Sequence, residues 1–182
     1  MQIGSYPYAS ALLRCGKTVA RRGRSIMAAR PYPYLFRIRA IMTITIRLAP
    51  WSEVREIARS IRYAVFVEEQ GVPVELEWDE WDEPSWHALA LAEDGGALAT
   101  GRLLPDGHIG RMAVLKAARG SGVGAMVLDA LMAKAAELGY PELVLNAQSY
   151  AAPFYARVGF EQVGEEFEEA GIPHVEMRKR LG

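Results

Sequence analysis

The clearest pattern of hydrophobic and polar positions lies around residues 109–131. An apolar run over residues 109–115 predicts a short β-strand. Apolar side chains then recur with the i, i+3, i+4, i+7, i+8 spacing of one buried helical face, at Val123, Met126, Val127, Ala130 and Leu131. Between the strand and the helix stands a glycine-rich segment, RGSGVG, at residues 119–124. The pattern therefore predicts a strand, a glycine-rich turn and an amphipathic helix in direct succession.

Elsewhere the chain alternates between strand-like and helix-like patterns. Ile44, Ile46 and Leu48 share one face of a predicted strand over residues 43–48, and a helical spacing then runs from about Glu53 into residues 65–67, with Ser52 as its N-cap. The remaining predicted elements are strands at residues 86–92, 97–103, 143–145, 160–163 and 175–180, and a short helix near residues 153–158.

This order of elements predicts an α/β fold with a mixed sheet and helices on both of its faces. Strands two, three and four follow one another through tight turns and form an antiparallel meander. A helix separates strands four and five, which makes strand five a parallel neighbour of strand four.

Composition and charge limit the class of protein. The chain has 182 residues, 51% of them hydrophobic, which predicts one soluble, cytoplasmic domain with a sizeable core. It contains no apolar run long enough to span a membrane. The lone Cys15 excludes an internal disulfide, and three scattered histidines give no metal-ligand spacing. We therefore expect no metal site, no membrane association and no nucleic-acid partner.

The net charge of −1 hides an asymmetry between the two ends of the chain. Residues 1–41 contain eight basic residues and no acidic one, which leaves 13 basic and 22 acidic residues in the rest. Such a leader is a targeting peptide, a nucleic-acid arm, or an artefact of a start codon assigned upstream of Met42. We favour the artefact because Met42 directly precedes the first convincing strand, and we expect one functional domain over residues 42–182.

An acidic segment occupies residues 71–86. Six carboxylates surround Trp78 and Trp81, and Pro73 and Pro84 disfavour regular structure. Two interpretations remain open. The segment is either a solvated acidic loop, or a site in which tryptophans and carboxylates hold a cationic amine.

The glycine-rich turn admits several interpretations of its own. It can be an ordinary strand-to-helix turn in which glycine only relieves backbone strain. Residues 120–125 also satisfy the dinucleotide pattern GxGxxA, but the next strand ends in Asn146 and Gln148 and offers no carboxylate for a ribose. A P-loop is excluded because no Gly-Lys-Ser/Thr follows. The remaining possibility is a diphosphate held by free backbone amides at a helix N-terminus beside Arg119.

Motifs spread over residues 43–181 identify a family resemblance. Arg119-x-x-Gly122-x-Gly124 follows a strand with Met112-Ala113-Val114, and Asn146-Ala147-Gln148 precedes APFYARVGF at residues 152–160. These motifs resemble the GNAT superfamily of acyl-CoA-dependent N-acyltransferases. RYAVFVEEQ at residues 62–70 and GIPH at residues 171–174 are similar to its ElaA-like branch. The resemblance implies a mixed, mostly antiparallel sheet of about seven strands with helices on both faces.

The resemblance also implies how acyl-CoA would be bound. The fourth and fifth strands of the family splay apart, and the pantetheine arm pairs with the backbone of Met112, Ala113 and Val114, where the Val114 amide can also serve the carbonyl oxygen. The diphosphate would be held by the turn, namely by Arg119, Gly120, Ser121, Gly122, Val123, Gly124 and Ala125. Asn146 and Gln148 are candidates for further hydrogen bonds. In the alternative interpretation, Met112 and Val114 are only core side chains, and Asn146 and Gln148 are only turn-forming residues at the end of a strand.

Acyl transfer to an amine also requires an acid and a base. Tyr155 stands where the family has a tyrosine near the thioester sulfur, and its phenol can protonate the departing thiolate. Packing against Phe154 and Phe160 is its alternative role. The candidates for the base are Glu69, His87 and His174, and the two histidines are also candidates for contact with the substrate.

The sequence thus predicts an N-acetyltransferase that transfers an acetyl group from acetyl-CoA to a primary amine of a small molecule or peptide. Direct attack in a ternary complex is the expected mechanism, and a homodimer is a possible assembly. The alternative is a non-catalytic acyl-CoA-binding sensor or scaffold module, and a dinucleotide enzyme comes third.

Overall fold

The computed structural model describes residues 43–182, so the predicted basic leader at residues 1–41 lies outside the described part. The described residues form seven strands: β1 Ile44–Pro50, β2 Trp86–Ala92, β3 Ala97–Leu103, β4 Ile109–Val114, β5 Glu142–Gln148, β6 Glu161–Glu169 and β7 Ile172–Arg180. The helices are α1 Trp51–Arg62, α2 Val74–Glu77, α3 Val123–Glu137 and α4 Ala152–Ala156. A π-helix, Tyr63–Glu69, continues α1, and a 3₁₀ turn, Glu80–Asp82, follows α2.

The strands form two hydrogen-bonded groups that part between β4 and β5. β1, β2, β3 and β4 are antiparallel neighbours in that order, and the second group has the order β5, β7, β6. A single parallel bridge joins the groups, between His108 and Val144, where the Val144 amide donates to the Gly107 carbonyl at 3.2 Å. The predicted parallel pairing of strands four and five is therefore confined to this one bridge. Beyond it the facing edges of β4 and β5 are not paired with each other.

Helices cover both faces of the first sheet, as predicted. Val54, Ala58 and Ile61 of α1 pack on the face that carries Leu89 and Ala113. Another hydrophobic cluster lies on the opposite face of the sheet, where Val127, Leu128 and Leu131 of α3 pack against Ala88, Ala90 and Leu103. The mixed α/β fold with seven strands is thereby confirmed, and α1 and α3 define two opposite sides of the gap between β4 and β5.

Two local predictions were wrong in detail. α1 begins at Trp51, one residue before the predicted N-cap Ser52, and Pro50 occupies the N-cap position without a side-chain cap. Trp51 is buried in the core under the helix, so packing fixes the start of the helix earlier than side-chain capping would. The last two strands are also longer than predicted, because they continue into one hairpin whose turn contains Ala170 and Gly171, both with positive φ.

The acidic segment combines solvated and buried carboxylates, since Glu75, Glu80 and Glu83 are exposed. Glu77 and Asp82 are buried, and their carboxylates bind arginines from α1 and β3. Arg62 donates to Glu77 Oε1 at 2.5 Å and to Asp82 Oδ1 at 2.6 Å, and Arg102 donates to the same Asp82 oxygen at 2.7 Å. These internal ion pairs neutralise carboxylates that the sequence alone leaves free for an amine.

Candidate functional site

The N-terminus of α3 presents unpaired amides to the surface. Gly122 is its N-cap, with φ of 90° and no capping side chain. Within residues 43–182, no carbonyl or side chain accepts from the amides of Gly122, Val123 or Gly124. Gly120 and Gly122 have positive φ, both are exposed, and a Cβ built on either would meet nothing within 4 Å, so the turn is not packed against other residues there. An uncapped, open helix N-terminus of this kind suits an anion.

A third glycine brings α3 close to the end of β4. A Cβ on Gly124 would stand 3.2 Å from Cγ2 of Val114 and 3.8 Å from Cζ of Phe154. A larger residue would push the helix N-terminus away from the strand. The free amides of α3 and the last residues of β4 therefore lie side by side.

β4 contains a bulge and turns backbone groups towards the gap. Two residues, Arg111 and Met112, stand opposite Gly101 alone, and Arg111 has a φ of 51°. The amide of Leu115 donates to Leu98, and hydrogen-bonded and unbonded pairs alternate in an antiparallel ladder. The next pair, Ala99 and Val114, is therefore unbonded, and Val114 directs its N–H and C=O away from β3. These groups face the side of β5, where no strand pairs with them.

The side chain of Arg119 is bound by the protein itself. Its Nη1 and Nη2 lie 2.5 and 2.7 Å from the two carboxylate oxygens of Glu69, and Nε donates to the carbonyl of Val114 at 3.1 Å. The hydrogen bond from Arg119 lowers the pKa of the Glu69 carboxyl, and the same bond raises the pKa of Arg119. Two of the predicted site residues, fifty positions apart, are thus in direct contact.

Tyr155 lies on the α3 side of the sheet. It is 9% exposed and shares the core with Ala147, Val175 and Met177. Its ring makes edge contacts with Phe154 and Phe160, at centroid distances of 4.9 and 6.1 Å. Burial raises the pKa of the phenol to about 12, so it stays protonated at neutral pH. Both predicted roles, packing and proton donation, are compatible with this position.

The polar residues of β5 face the side of α1 and its π-helix. Asn146 is exposed, and Gln148 donates from Nε2 to Gln70 Oε1 at 3.0 Å. Gln148 stands opposite His174 on β7, and directly opposed residues in a ladder point to the same face. His174 therefore shares this face with Asn146 and Gln148.

Two contacts fix the imidazole of His174. Nδ1 lies 2.8 Å from the carbonyl of Ile172, and since a carbonyl only accepts, Nδ1 carries the proton. The neutral ring then has its lone pair on Nε2. Phe167 stacks on the ring at a centroid distance of 6.0 Å. His174 has the tautomer that a base requires.

His87 lies in the core beneath α1. Only 1% of it is exposed, its Nε2 is 2.9 Å from the carbonyl of Asp82, and its ring packs on Trp51 at 4.7 Å. Burial lowers the pKa of its imidazole. The prediction of a substrate contact at His87 does not fit this position, because the ring is enclosed by the core beneath α1.

Arg111 is a residue that the sequence did not single out. Its Nη2 lies 3.0 Å from Asp79 Oδ2 and thereby ties the acidic segment to the bulge of β4. No periodicity or motif marks it, because its role depends on a left-handed backbone conformation and on a carboxylate 32 residues away.

Two further features of the described chain bear on the site. Among residues 43–182, no helix combines the length and the apolar character needed to cross a bilayer. The same residues contain no group of three or more His, Cys, Asp or Glu side chains placed to hold a metal ion.

Comparison with known proteins assigns this arrangement to a family. The sequence model described as "Acetyltransferase (GNAT) domain" matches residues 56–181, well over half of the chain. The protein therefore belongs to the GNAT acetyltransferase family. Members of this family are acyltransferases that use acyl-CoA as cosubstrate and act on amines, so the predicted family and enzyme class are confirmed.

Particular relatives agree with this assignment. A Bacillus subtilis protein named N-acetyltransferase YjcF, described as uncharacterised, is 40% identical over 122 residues, which is 65% of this chain and 87% of that protein. The crystal structure of Escherichia coli ElaA is 29% identical with a TM-score of 0.68, and the alignment covers 76% of this chain and all of that one. An acyl-CoA N-acyltransferase from Pseudomonas aeruginosa is 32% identical with a TM-score of 0.65, covering 76% and 99% of the two chains.

Proposed function

We propose that this protein transfers an acetyl group from acetyl-CoA to a primary amine of a small molecule or peptide by direct attack in a ternary complex. One observation carries the proposal. The uncapped N-terminus of α3, with Arg119 beside it, lies next to the unpaired edge of β4 at the gap between β4 and β5. Such a gap provides a strand edge for an amide-containing arm, and the helix end provides amides for its diphosphate.

The residues present fit acetyl-CoA. The turn of Gly120 to Ala125 would hold the diphosphate through the free amides of Gly122, Val123 and Gly124 together with the guanidinium of Arg119, because the amides of Ser121 and Ala125 already donate to Ala118 and Gly122. The backbone of Met112, Ala113 and Val114 would hold the pantetheine arm, and Asn146 and Gln148 are further hydrogen-bonding groups on β5. When bound, acetyl-CoA supplies the acyl group as an activated thioester.

Tyr155 is proposed as the general acid. Its Oη holds a proton at neutral pH because burial raises the pKa to about 12. A phenol with this pKa is a weaker acid than a thiol, whose pKa is about 8.5, so it donates to the sulfur only as negative charge builds up there. Tyr155 would thus protonate the sulfur as the carbon–sulfur bond breaks.

His174 is proposed as the general base, in preference to Glu69. The Nδ1–H of His174 is fixed on Ile172, which leaves Nε2 to accept the proton that the amine loses as its nitrogen bonds to carbon. Glu69 contacts Arg119, the proposed diphosphate ligand, through both of its carboxylate oxygens and therefore lies at the diphosphate end of the site. Acid and base would then act from opposite sides of the sheet, Tyr155 from the α3 side and His174 from the α1 side.

One experiment tests the proposal. Purified protein is mixed with acetyl-CoA and each member of a panel of small and peptide amines, and free thiol is measured together with CoA binding by calorimetry. Amine-dependent release of thiol is the expected result. Binding without turnover across the panel would indicate a non-catalytic acyl-CoA-binding module, and absence of CoA binding would reject the proposed site. Longer acyl-CoA donors in the same assay test the preference for acetyl.

A further inference from the structure

The guanidinium of Arg119 is held on three sides. Two of its nitrogens bind the two oxygens of Glu69, and its third nitrogen binds the carbonyl of Val114. The fork-to-fork contact with Glu69 uses the geometry in which arginine binds a carboxylate or a phosphate. The same edge of Arg119 therefore cannot serve Glu69 and a diphosphate together.

We propose that Glu69 is a displaceable counter-ion of Arg119, which competes with the diphosphate of acyl-CoA and is released when the cosubstrate binds. This inference rests on the proposed function, because it takes the turn at residues 119–124 as the diphosphate site. It assigns Glu69 a role in setting the affinity for acyl-CoA. In the absence of acyl-CoA, the carboxylate of Glu69 occupies the position on Arg119 that the diphosphate would take.

Charge and exposure favour displacement. The side chains of Arg119 and Glu69 are 41% and 37% exposed, and ion pairs in such surroundings contribute little because water screens them. A diphosphate carries more negative charge than one carboxylate and also binds the free amides at the start of α3, which Glu69 does not reach. The competition is therefore unequal, and Glu69 lowers the affinity for acyl-CoA without preventing binding.

Displacement also has a consequence on the other side of the gap. Glu69 is the last residue of the π-helix, and the next residue, Gln70, hydrogen-bonds Gln148 at the end of β5. Release of Glu69 removes the ion pair between the π-helix and the α3 turn and leaves the hydrogen bond between Gln148 and Gln70 in place.

The test measures CoA binding by calorimetry in matched variants of the full chain. Glu69→Gln removes the competing charge, and Glu68→Gln is the control, since Glu68 is exposed, adjacent and forms no ion pair with the described residues. We expect Glu69→Gln to bind CoA about two- to fivefold more tightly than wild type, the range set by an exposed ion pair. Glu68→Gln should bind as wild type does.

Two further arms isolate the mechanism. In an Arg119→Gln background, adding Glu69→Gln should have no more effect than Glu68→Gln has in the wild type, because the competed group is gone. Pantetheine, which lacks the diphosphate, should bind equally to wild type and Glu69→Gln. Equal or weaker CoA binding by Glu69→Gln, or the same gain in the Arg119→Gln background, would overturn the inference. Failure of the wild type to bind CoA at all would instead reject the proposed function.

Discussion

Arg62 and Asp82 form an ion pair inside the protein, with Nη1 2.6 Å from Oδ1 and side chains 1% and 5% exposed. Asp82 also binds Arg102, and Asp79 joins Arg102 to Arg111 at the bulge of β4. The network connects α1, the acidic segment, β3 and β4. Arg111 directly precedes Met112, so the network is anchored to the part of β4 that is proposed to bind the pantetheine arm.

Replacement of Arg62 should destabilise the fold. Arg62→Met leaves the buried carboxylates of Glu77 and Asp82 without their main partner, and breaking a buried ion pair on one side costs about 3–5 kcal/mol of the free energy of unfolding. Urea denaturation measures the loss. Arg55→Met on the exposed face of α1 is the control and should change stability by less than about 0.5 kcal/mol. Equal stability of the two variants would contradict the structural role.

Gly122 should be required for binding of CoA through its backbone conformation. Its φ of 90° strains any residue with a Cβ, although the space around it is open. Gly122→Ala should therefore lose about 1 kcal/mol of stability and bind CoA about tenfold or more weakly, because the amides beside it shift. Gly139→Ala is the control at the other end of α3, where φ is 76°. It should lose similar stability and keep its CoA affinity.

Tyr155 should matter for turnover and little for binding. Tyr155→Phe keeps the ring that packs on Phe154 and Phe160 but removes the proton donor. We expect kcat to fall about a hundredfold or more, with the Kd for CoA changed less than about twofold. Steady-state kinetics and calorimetry check the two values. Tyr140→Phe, at the end of α3, is the control, and an unchanged kcat in Tyr155→Phe would remove this phenol from the chemistry.

Tyr155 should also make stability fall at alkaline pH. Its pKa is raised by burial from 10.0 to about 12, so above pH 10 the unfolded chain loses a proton that the folded chain keeps. The stabilisation is complete below pH 10 and is lost as the pH rises towards 12, by about 1.4 kcal/mol per pH unit. Urea denaturation at pH 9 and pH 11 should show a loss about 1 kcal/mol larger in wild type than in Tyr155→Phe. Equal losses of stability in wild type and Tyr155→Phe would contradict a raised pKa of the Tyr155 phenol.

A small-molecule base should restore activity to a variant that lacks His174, because the proposed role of this residue is to accept a proton. His174→Ala is expected to lower kcat about a hundredfold or more with a smaller change in the KM for acetyl-CoA. Added imidazole should restore part of the activity, because it replaces Nε2 in the vacated space, and a purely structural role would not respond. His108→Ala, at an exposed position, is the control and should behave as wild type. Loss of activity without rescue would leave His174 as a packing residue.

Local patterns in the chain predicted much of the fold. The strands β2 and β3 have the predicted bounds, and a strand, a glycine turn and a helix occur around residues 109–137. The predicted buried face of that helix was wrong at Met126, which is exposed, while Leu128 is buried. The family assignment also followed from ordered motifs, and the family comparison confirms it. Each of these features depends on residues that are close in sequence.

Other features depended on residues far apart. The sequence named Glu69 and Arg119 separately, as a base and a phosphate ligand, and gave no sign that they bind each other across fifty positions. It likewise left the acidic segment open to an amine, while the folded chain brings Arg62, Arg102 and Arg111 to those carboxylates.

The sequence by itself determined the order of strands and helices and the glycine turn at the start of α3, because hydrophobic period and backbone freedom are local properties. Only the tertiary structure decided that a single bridge joins the two groups of strands, that His87 is enclosed and that His174 lies on the same face as Gln148. Packing between distant segments decides which groups pair with a charged side chain and which face of a sheet becomes buried. A local sequence pattern contains no information about that packing.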